Sequence, residues 1–175
     1  MKTEHLLIMR FTALGEVAML VPVVSSLAQQ YPELRITVLS NPFARSLFDG
    51  IAHNVGFMAA DLNGEYHGVK GLNALYRRLV AKNFTAIADM QSILRSSYLR
   101  MRFNISSYRV EHLDNHRQER RKLVAAKDKC LKQLPSLFDD YLDVLARLGY
   151  NVSLDFQSLF PPTGGNLRLV SDRIG

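Results

Sequence analysis

The residues best suited to chemistry in this sequence are an acid in a short turn, Glu16, and a later polar stretch, Asp89–Gln91. Glu16 ends the turn Thr12–Glu16, which comes shortly after the apolar run Leu6–Met9. A carboxylate at the opening of a helix can complement the helix dipole, which is a purely structural role. At the ligand-facing edge of a parallel sheet, the same carboxylate could act as a general base. Both interpretations stay open on the residues alone.

The second stretch has its polar groups at the predicted carboxyl end of a buried strand, Phe84–Met90. Asp89 and Gln91 would share an edge with Glu16 if the two strands are parallel neighbours. Their side chains could hydrogen-bond a polyhydroxylated ligand, and Arg95, one helical turn further on, could bind a carboxylate or phosphate. The alternative is that Asp89 simply caps the following helix.

A third feature is a cluster of positive charge over residues 117–132, opposed by Glu119 and Asp128. Such a run is usually a solvated helix face, and phosphate binding is the competing interpretation because few acids stand at helical spacing. RNA binding is less favoured, since base-stacking aromatic residues are not interleaved. The basic members are Arg117, Arg120, Arg121, Lys122, Lys127, Lys129 and Lys132.

Composition narrows the classes of function. The chain has 175 residues, 47% hydrophobic content and a net charge of +6, so it can bury one sizeable core and favours an anionic partner. The single Cys130 excludes a disulfide framework and a cysteine-rich zinc site, and the histidines lack metal-ligand spacing. Neither a dinucleotide fingerprint, a phosphate loop nor a nucleophile elbow occurs. Without a secretory signal or a membrane-length apolar run, a soluble cytoplasmic protein is expected.

The elements that must position these residues alternate between strands and helices. Unbroken apolar runs predict strands that are buried on both faces of a mainly parallel sheet, which is typical of an α/β fold. The glycine-rich segment 61–71 is expected to be a surface loop, and Ser136 to cap the last helix. Strands are predicted over 6–9, 35–40, 55–60, 84–90 and 107–113, and helices over 17–31, 43–49, 72–83, 91–104, 116–132 and 137–149.

Two blocks of the sequence resemble a known family. The stretch LLIMRFTALGEVAMLVPVVSSLAQQYPELRITVLSNPF resembles the N-terminus of the ADP-heptose:lipopolysaccharide heptosyltransferases of glycosyltransferase family 9. In that family a first strand runs into an S/T-x-x-G-D-x turn and a helix with an early proline, here Pro22. FTAIADMQSILRSSYL is similar to the family's second block, a strand that ends in D-x-Q before a helix with a basic residue. The basic segment and the helix that ends at Leu148-Gly149-Tyr150 also fall where the family has them.

The resemblance implies the N-terminal half of a GT-B glycosyltransferase, a Rossmann-like three-layer domain with a mainly parallel sheet. Residues 1–158 would form an acceptor-binding domain, and residues 159–175 a linker toward an absent C-terminal domain that binds the donor, ADP-heptose. The implied reaction transfers heptose, with inversion, to phosphorylated Kdo-lipid A in the inner core of lipopolysaccharide. Neither a cofactor, a metal nor nucleic acid is implied, and the chain alone is expected to be inactive. Peripheral contact with the cytoplasmic face of the inner membrane fits this interpretation.

The family's proposed general base, usually Asp, falls on Glu16, whose carboxylate sits one methylene further out. It would take a proton from the acceptor hydroxyl as that oxygen attacks the anomeric carbon and ADP leaves. The other function considered is a non-catalytic basic α/β module, whose binding of nucleic acid or an anionic surface would fall steeply with salt and ignore Glu16→Ala. The resemblance places acceptor-binding roles on Thr12, Ala13, Lys70, Asp89, Gln91, Arg95, Arg120 and Arg121.

Overall fold

A computed structural model describes residues 4–114, 116, 121 and 135–156 of the chain. Its centre is a parallel sheet in the order β3-β2-β1-β4-β5. This topology confirms the predicted α/β, Rossmann-like fold. The linker expected over 159–175, and the basic helix expected over 116–132 apart from His116 and Arg121, lie outside the described residues. The strands are β1 (His5–Met9), β2 (Arg35–Ser40), β3 (Val55–Ala59), β4 (Ala86–Asp89) and β5 (Arg109–His112).

Helices connect and cover these strands. Ser136 precedes the last helix and caps it as predicted, because its hydroxyl accepts from the backbone N–H of Asp139 at 3.2 Å. In the part of the chain that the structure describes, no helix is long and apolar enough to cross a membrane. The helices are α1 (Leu14–Ala18), α2 (Leu20–Gln30), α3 (Arg45–Phe48), α4 (Gly68–Val80), α5 (Leu94–Ile105) and α6 (Leu137–Arg147), with a 3-10 turn at Pro42–Ala44.

The sheet separates two hydrophobic cores, which makes three layers. Leu6 and Ile8 of β1 belong to the core that packs against α2 and α6. Leu7 and Met9 point to the opposite face and pack with residues of α4 and α5. Because alternate strand residues face opposite sides, a strand covered on both faces must be apolar throughout. This explains the unbroken apolar run Leu6–Met9.

The first helix differs from the prediction. The periodicity indicated one helix over 17–31, whereas the structure has α1 and α2, which meet at Met19. Pro22 has no backbone N–H, and its ring crowds the carbonyl group four residues earlier, which belongs to Ala18. The first helix ends at that residue, so the proline accounts for the interruption.

The helix predicted to begin at residue 72 begins earlier, at Gly68, within the segment expected to be a loop. Gly71 lies in its first turn, where an added Cβ would stand 2.3 Å from the carbonyl carbon of Tyr66. Glycine is therefore required for the close approach of this helix to the preceding loop. Gly71, one of the glycines that indicated a loop, therefore serves a tight junction between loop and helix.

The order of the strands brings the two candidate stretches together. From β1 the chain moves to β2 and β3 on one side of the sheet, and β4 and β5 lie on the other side. In open parallel sheets, the crevice at such a reversal is where ligands bind. Met9 pairs with Asp89, so the residues after β1 and after β4 leave the sheet side by side, as the sequence predicted for parallel neighbours. We refer to this place as the β1–β4 crevice.

Candidate functional site

Arg10, the first residue after β1, organises the β1–β4 crevice. It is 4% exposed, and its guanidinium donates to the carbonyl group of Met90 and to the carboxylate of Glu16. The guanidinium carbon also lies 5.5 Å from the ring centroid of Tyr141 in α6. Its Nε atom is buried and has no hydrogen-bond partner among the described residues. Arg10 therefore connects the ends of both strands and α6 to the candidate base.

Glu16 lies in the first turn of α1, and its side chain is 48% exposed. Arg10 donates to Oε2, while Oε1 accepts no hydrogen bond from the described residues. The backbone carbonyl of Glu16 accepts from the hydroxyl group of Tyr141 at 3.0 Å. Burial raises the pKa of this phenol, against the opposing effect of Arg10, so it stays a donor. Arg10 and Tyr141 thus hold Glu16 in position, and Oε1 remains able to accept a proton from solvent or a ligand.

The turn before Glu16 has a defined and unusual backbone. Ala13 has φ 56 and ψ 97, outside the regions that alanine ordinarily adopts, and its carbonyl group accepts from the N–H of Val17 at 3.0 Å. Such a conformation costs about 1–3 kcal/mol and persists only where its surroundings impose it. Thr12 and Ala13 are both exposed, and they precede Glu16 in the same turn.

Asp89 is fully buried, and its carboxylate is occupied by contacts within the chain. Oδ1 accepts from the backbone N–H groups of Gln91 at 3.1 Å and Ser92 at 3.0 Å. Oδ2 accepts from the hydroxyl of Ser96 at 3.0 Å and from Arg100 at 3.2 Å. These contacts stabilise the β4–α5 loop and the first turn of α5, which is close to the capping role considered as the alternative. In this structure Asp89 faces its own loop and no open space.

Gln91 joins the two loops of the crevice. It is 5% exposed; its side-chain oxygen accepts from the backbone N–H of Phe11 at 2.8 Å, and its amide nitrogen donates to the hydroxyl of Thr12. Both functional groups of the amide are therefore used to hold the β1–α1 turn against the β4–α5 loop. The contact explains how a turn with strained backbone keeps its form.

The basic candidates differ in their surroundings in the described part of the chain. Arg95 is half-buried and donates to the carbonyl of Leu62 at 3.1 Å, so it ties α5 to the loop after β3. Lys70 is exposed in the first turn of α4, and Arg121 is exposed in a helical conformation. Arg120 lies outside the described residues.

Sequence reasoning did not select Arg10 or Tyr141 as functional. For Arg10 a signal existed, because a charge directly after a fully buried strand must find a partner at the strand's end. Tyr141 was predicted on an apolar helix face, and nothing in its spacing indicated where its hydroxyl group would bind. No group of three or more His, Cys, Asp or Glu side chains that could hold a metal ion occurs within the described ranges.

Solved structures similar to this chain include glycosyltransferases. A family 9 glycosyl transferase from Veillonella parvula DSM 2008 matches with a TM-score of 0.61 and 17% identity, over 90% of this chain and 47% of its own. The E. coli heptosyltransferase WaaC with ADP-2-deoxy-2-fluoro heptose matches with a TM-score of 0.60 and 15% identity, over 92% of this chain and 56% of WaaC. The chain has the fold of about half of a family 9 glycosyltransferase.

This likeness is one of fold. A second WaaC structure, with ADP, gives a TM-score of 0.56 at 15% identity, over 88% of this chain and 49% of WaaC. The chain thus spans about half the length of these structures. No protein-family model and no curated protein sequence matches it. Since one fold hosts many activities, function has to be argued from the site.

Proposed function

We propose that this chain is the acceptor-binding half of a glycosyltransferase that transfers heptose from ADP-heptose to the phosphorylated inner core of lipopolysaccharide, with Glu16 as the general base. The observation that carries the proposal is the Glu16 carboxylate in the β1–β4 crevice, with one oxygen bound by Arg10 and the other unbonded among the described residues. Glu16 takes the proton of the acceptor hydroxyl while that oxygen attacks the anomeric carbon, ADP leaves and the configuration inverts.

The remaining residues of the crevice position the base and the acceptor. Because Asp89 and Gln91 are buried and bonded within the chain, they act as positioning residues for the two loops. The exposed Thr12 and Ala13 lie beside the reacting sugar. A misplacement of the base by about 1 Å is enough to slow such a reaction substantially, which gives the cross-linking by Gln91 a functional reason.

The acceptor carries phosphates and carboxylates, and exposed cations would bind them. Lys70 and Arg121 are exposed, and Arg95 lies at the same sheet edge, between α5 and the loop after β3. The net charge of +6 favours encounter with an anionic acceptor. In this proposal Arg120 contributes to the same binding, and the protein meets phosphorylated Kdo-lipid A at the cytoplasmic face of the inner membrane.

This assignment gives each part of the chain a separate role. Residues 1–158 bind the acceptor, residues 159–175 lead toward a donor-binding half, and the chain alone binds acceptor without transferring heptose. Saturable binding of phosphorylated Kdo-lipid A to the chain is expected, and it weakens when Arg120 and Arg121 are changed together.

The test of the base compares Glu16→Gln with wild type in the native protein, with ADP-heptose and phosphorylated Kdo-lipid A as substrates. We expect kcat to fall by about 10²–10⁴ because the proton acceptor is lost, while acceptor affinity changes by less than about twofold. The matched control is Glu65→Gln, which neutralises an exposed carboxylate on the loop after β3 and leaves kcat unchanged.

Two outcomes would overturn the proposal. Wild-type kcat in Glu16→Gln would exclude Glu16 as the base. No saturable binding of the acceptor, together with RNA or DNA binding that falls steeply with salt and is indifferent to Glu16→Ala, would establish the basic binding module in its place.

A further inference from the structure

An open cavity of about 250 Å³ lies beside the edge strand β3. His5 and Arg35, the first residues of β1 and β2, line it, whereas Glu16 follows the opposite end of β1. We call it the β3 cavity. No described Asp or Glu is among its lining residues, which include the cations Arg35, Arg45, Arg78 and Lys82.

The cations of the β3 cavity have no counter-charge among the described residues. None of them forms an ion pair with a carboxylate in the part of the chain that the structure describes. Arg78 donates to the hydroxyl of Tyr66 at 2.6 Å, and the guanidinium carbon of Arg45 lies 5.2 Å from the ring centroid of Phe57. These contacts orient the two guanidinium groups without neutralising them, so the cavity keeps a positive potential.

The imidazole of His5 forms part of the cavity wall and is influenced by the nearby positive charges. It is 6% exposed, with Nε2 at 2.9 Å from the hydroxyl of Thr37 and Nδ1 at 3.2 Å from the carbonyl of Lys82. Burial lowers the pKa of His5, and the positive charge of Arg35 lowers it further, while the hydrogen bond with Lys82 opposes these effects. The imidazole therefore adds a neutral polar group to a wall of fixed positive charge.

We propose that the β3 cavity binds a compact phosphate-bearing anion at a site separate from the β1–β4 crevice. Phosphate oxygens accept charge-assisted hydrogen bonds from guanidinium and ammonium groups, and several phosphate charges offset several cations. Gly56 leaves room in the wall, because an added Cβ there would find its nearest atom, the carbonyl oxygen of Ile36, at 3.8 Å. The volume suits a small anion rather than a polynucleotide.

The first test is calorimetric titration of the chain with inorganic pyrophosphate at constant ionic strength. We expect one saturable site, whose affinity falls about tenfold in Arg78→Gln because one charge-assisted contact is lost. The matched control is Arg77→Gln, which removes the same charge from the neighbouring exposed residue of α4, outside the cavity. Equal weakening by the two variants, or no saturation, would overturn the proposal.

A second variant tests the cavity without changing any charge. Gly56→Leu is expected to fill the space and abolish pyrophosphate binding, with circular dichroism to verify folding; undiminished binding by the folded variant would overturn the proposal. Vesicles of phosphatidylcholine with phosphatidic acid then distinguish the sources of the phosphate. If the protein floats with these vesicles and Gly56→Leu abolishes the flotation, the ligand is a lipid headgroup. If the protein binds pyrophosphate but does not float with the vesicles, the ligand is a soluble phosphate compound. None of these measurements depends on Glu16 or on transferase activity.

Discussion

The β1–β4 crevice and the β3 cavity are both rich in charge, but they compensate it differently. In the crevice each buried charge has a partner within the chain, since Arg10 binds Glu16 and Asp89 binds Arg100. In the cavity, cations line an open space and no described carboxylate pairs with them. The charges of the crevice are therefore fixed by contacts within the chain, whereas the described residues leave the charge of the cavity to water, salt or a ligand.

Burial explains why the two regions differ. A buried charge is costly unless it is paired and hydrogen-bonded, so Arg10 and Asp89 can occupy the interior only with their partners. The cations of the cavity are exposed and remain hydrated, so they cost the fold little. Substitutions in the crevice should accordingly change the free energy of unfolding, and substitutions in the cavity should change ligand binding.

The largest effect on stability is expected from Asp89→Ala. The change removes the buried carboxylate that pairs with Arg100 and that accepts from the backbone N–H groups of Gln91 and Ser92, while Arg100 keeps its contacts with the hydroxyl groups of Ser92 and Ser97. The free energy of unfolding should fall by about 3–5 kcal/mol, measured by urea denaturation. Asp143→Ala is the control, because Asp143 pairs with Arg147 at 3.0 Å in solvent and contributes less than about 0.5 kcal/mol. Similar losses in the two variants would show that burial does not distinguish the two ion pairs.

A smaller effect is expected from Tyr141→Phe. The variant keeps the buried ring but loses the hydrogen bond at 3.0 Å to the backbone of Glu16, which should cost about 1 kcal/mol in urea denaturation. Tyr31→Phe is the control, because its hydroxyl donates to the carbonyl of Asn151 at 3.2 Å in an exposed position where water can replace it. That change should stay within about 0.5 kcal/mol. If Tyr141→Phe had no larger effect, α6 would not support the Glu16 turn.

The sequence allowed the fold and the location of the crevice to be predicted for one physical reason. Buried parallel strands are apolar throughout, and their carboxyl ends share an edge, which placed Asp89 and Gln91 near Glu16. The orientation of each side chain was not predictable. Gln91 and Thr12 are 79 positions apart in the chain, and periodicity contains no information on such a contact. Whether a polar side chain faces a ligand or the protein's own backbone depends on contacts between residues that are this far apart in the sequence.

Clusters of positive charge that form between distant parts of the sequence are equally hard to predict. A scan along the chain finds the dense run over 117–132, because its members are neighbours in sequence. The cations of the β3 cavity come from β2, α3, α4 and the residues after α4, so they form a cluster only after folding. Linear charge patterns therefore identify basic helices, whereas a concave basic site has to be found in the structure.

The smallest effect is expected in the titration of His5, whose pKa responds to burial and to the charges of the cavity. In the folded chain the pKa of His5 is expected below the ordinary 6.5, because burial and the charges of Arg35 and Lys82 disfavour its protonation. Its contribution to stability is thus present above pH 6.5 and is lost as the pH falls through the lowered pKa.

Saturating inorganic pyrophosphate should raise the pKa of His5, because a bound anion offsets the positive charges that lower it. The chemical shift of the imidazole C2 proton, followed by NMR from pH 8 to pH 4 or so, gives the midpoint with and without the anion. Gly56→Leu, which keeps every charge but fills the cavity, should remove the response. A pKa that pyrophosphate leaves unchanged would place the bound anion outside the β3 cavity, and the uncompensated cations would then be a hydrated surface like any other.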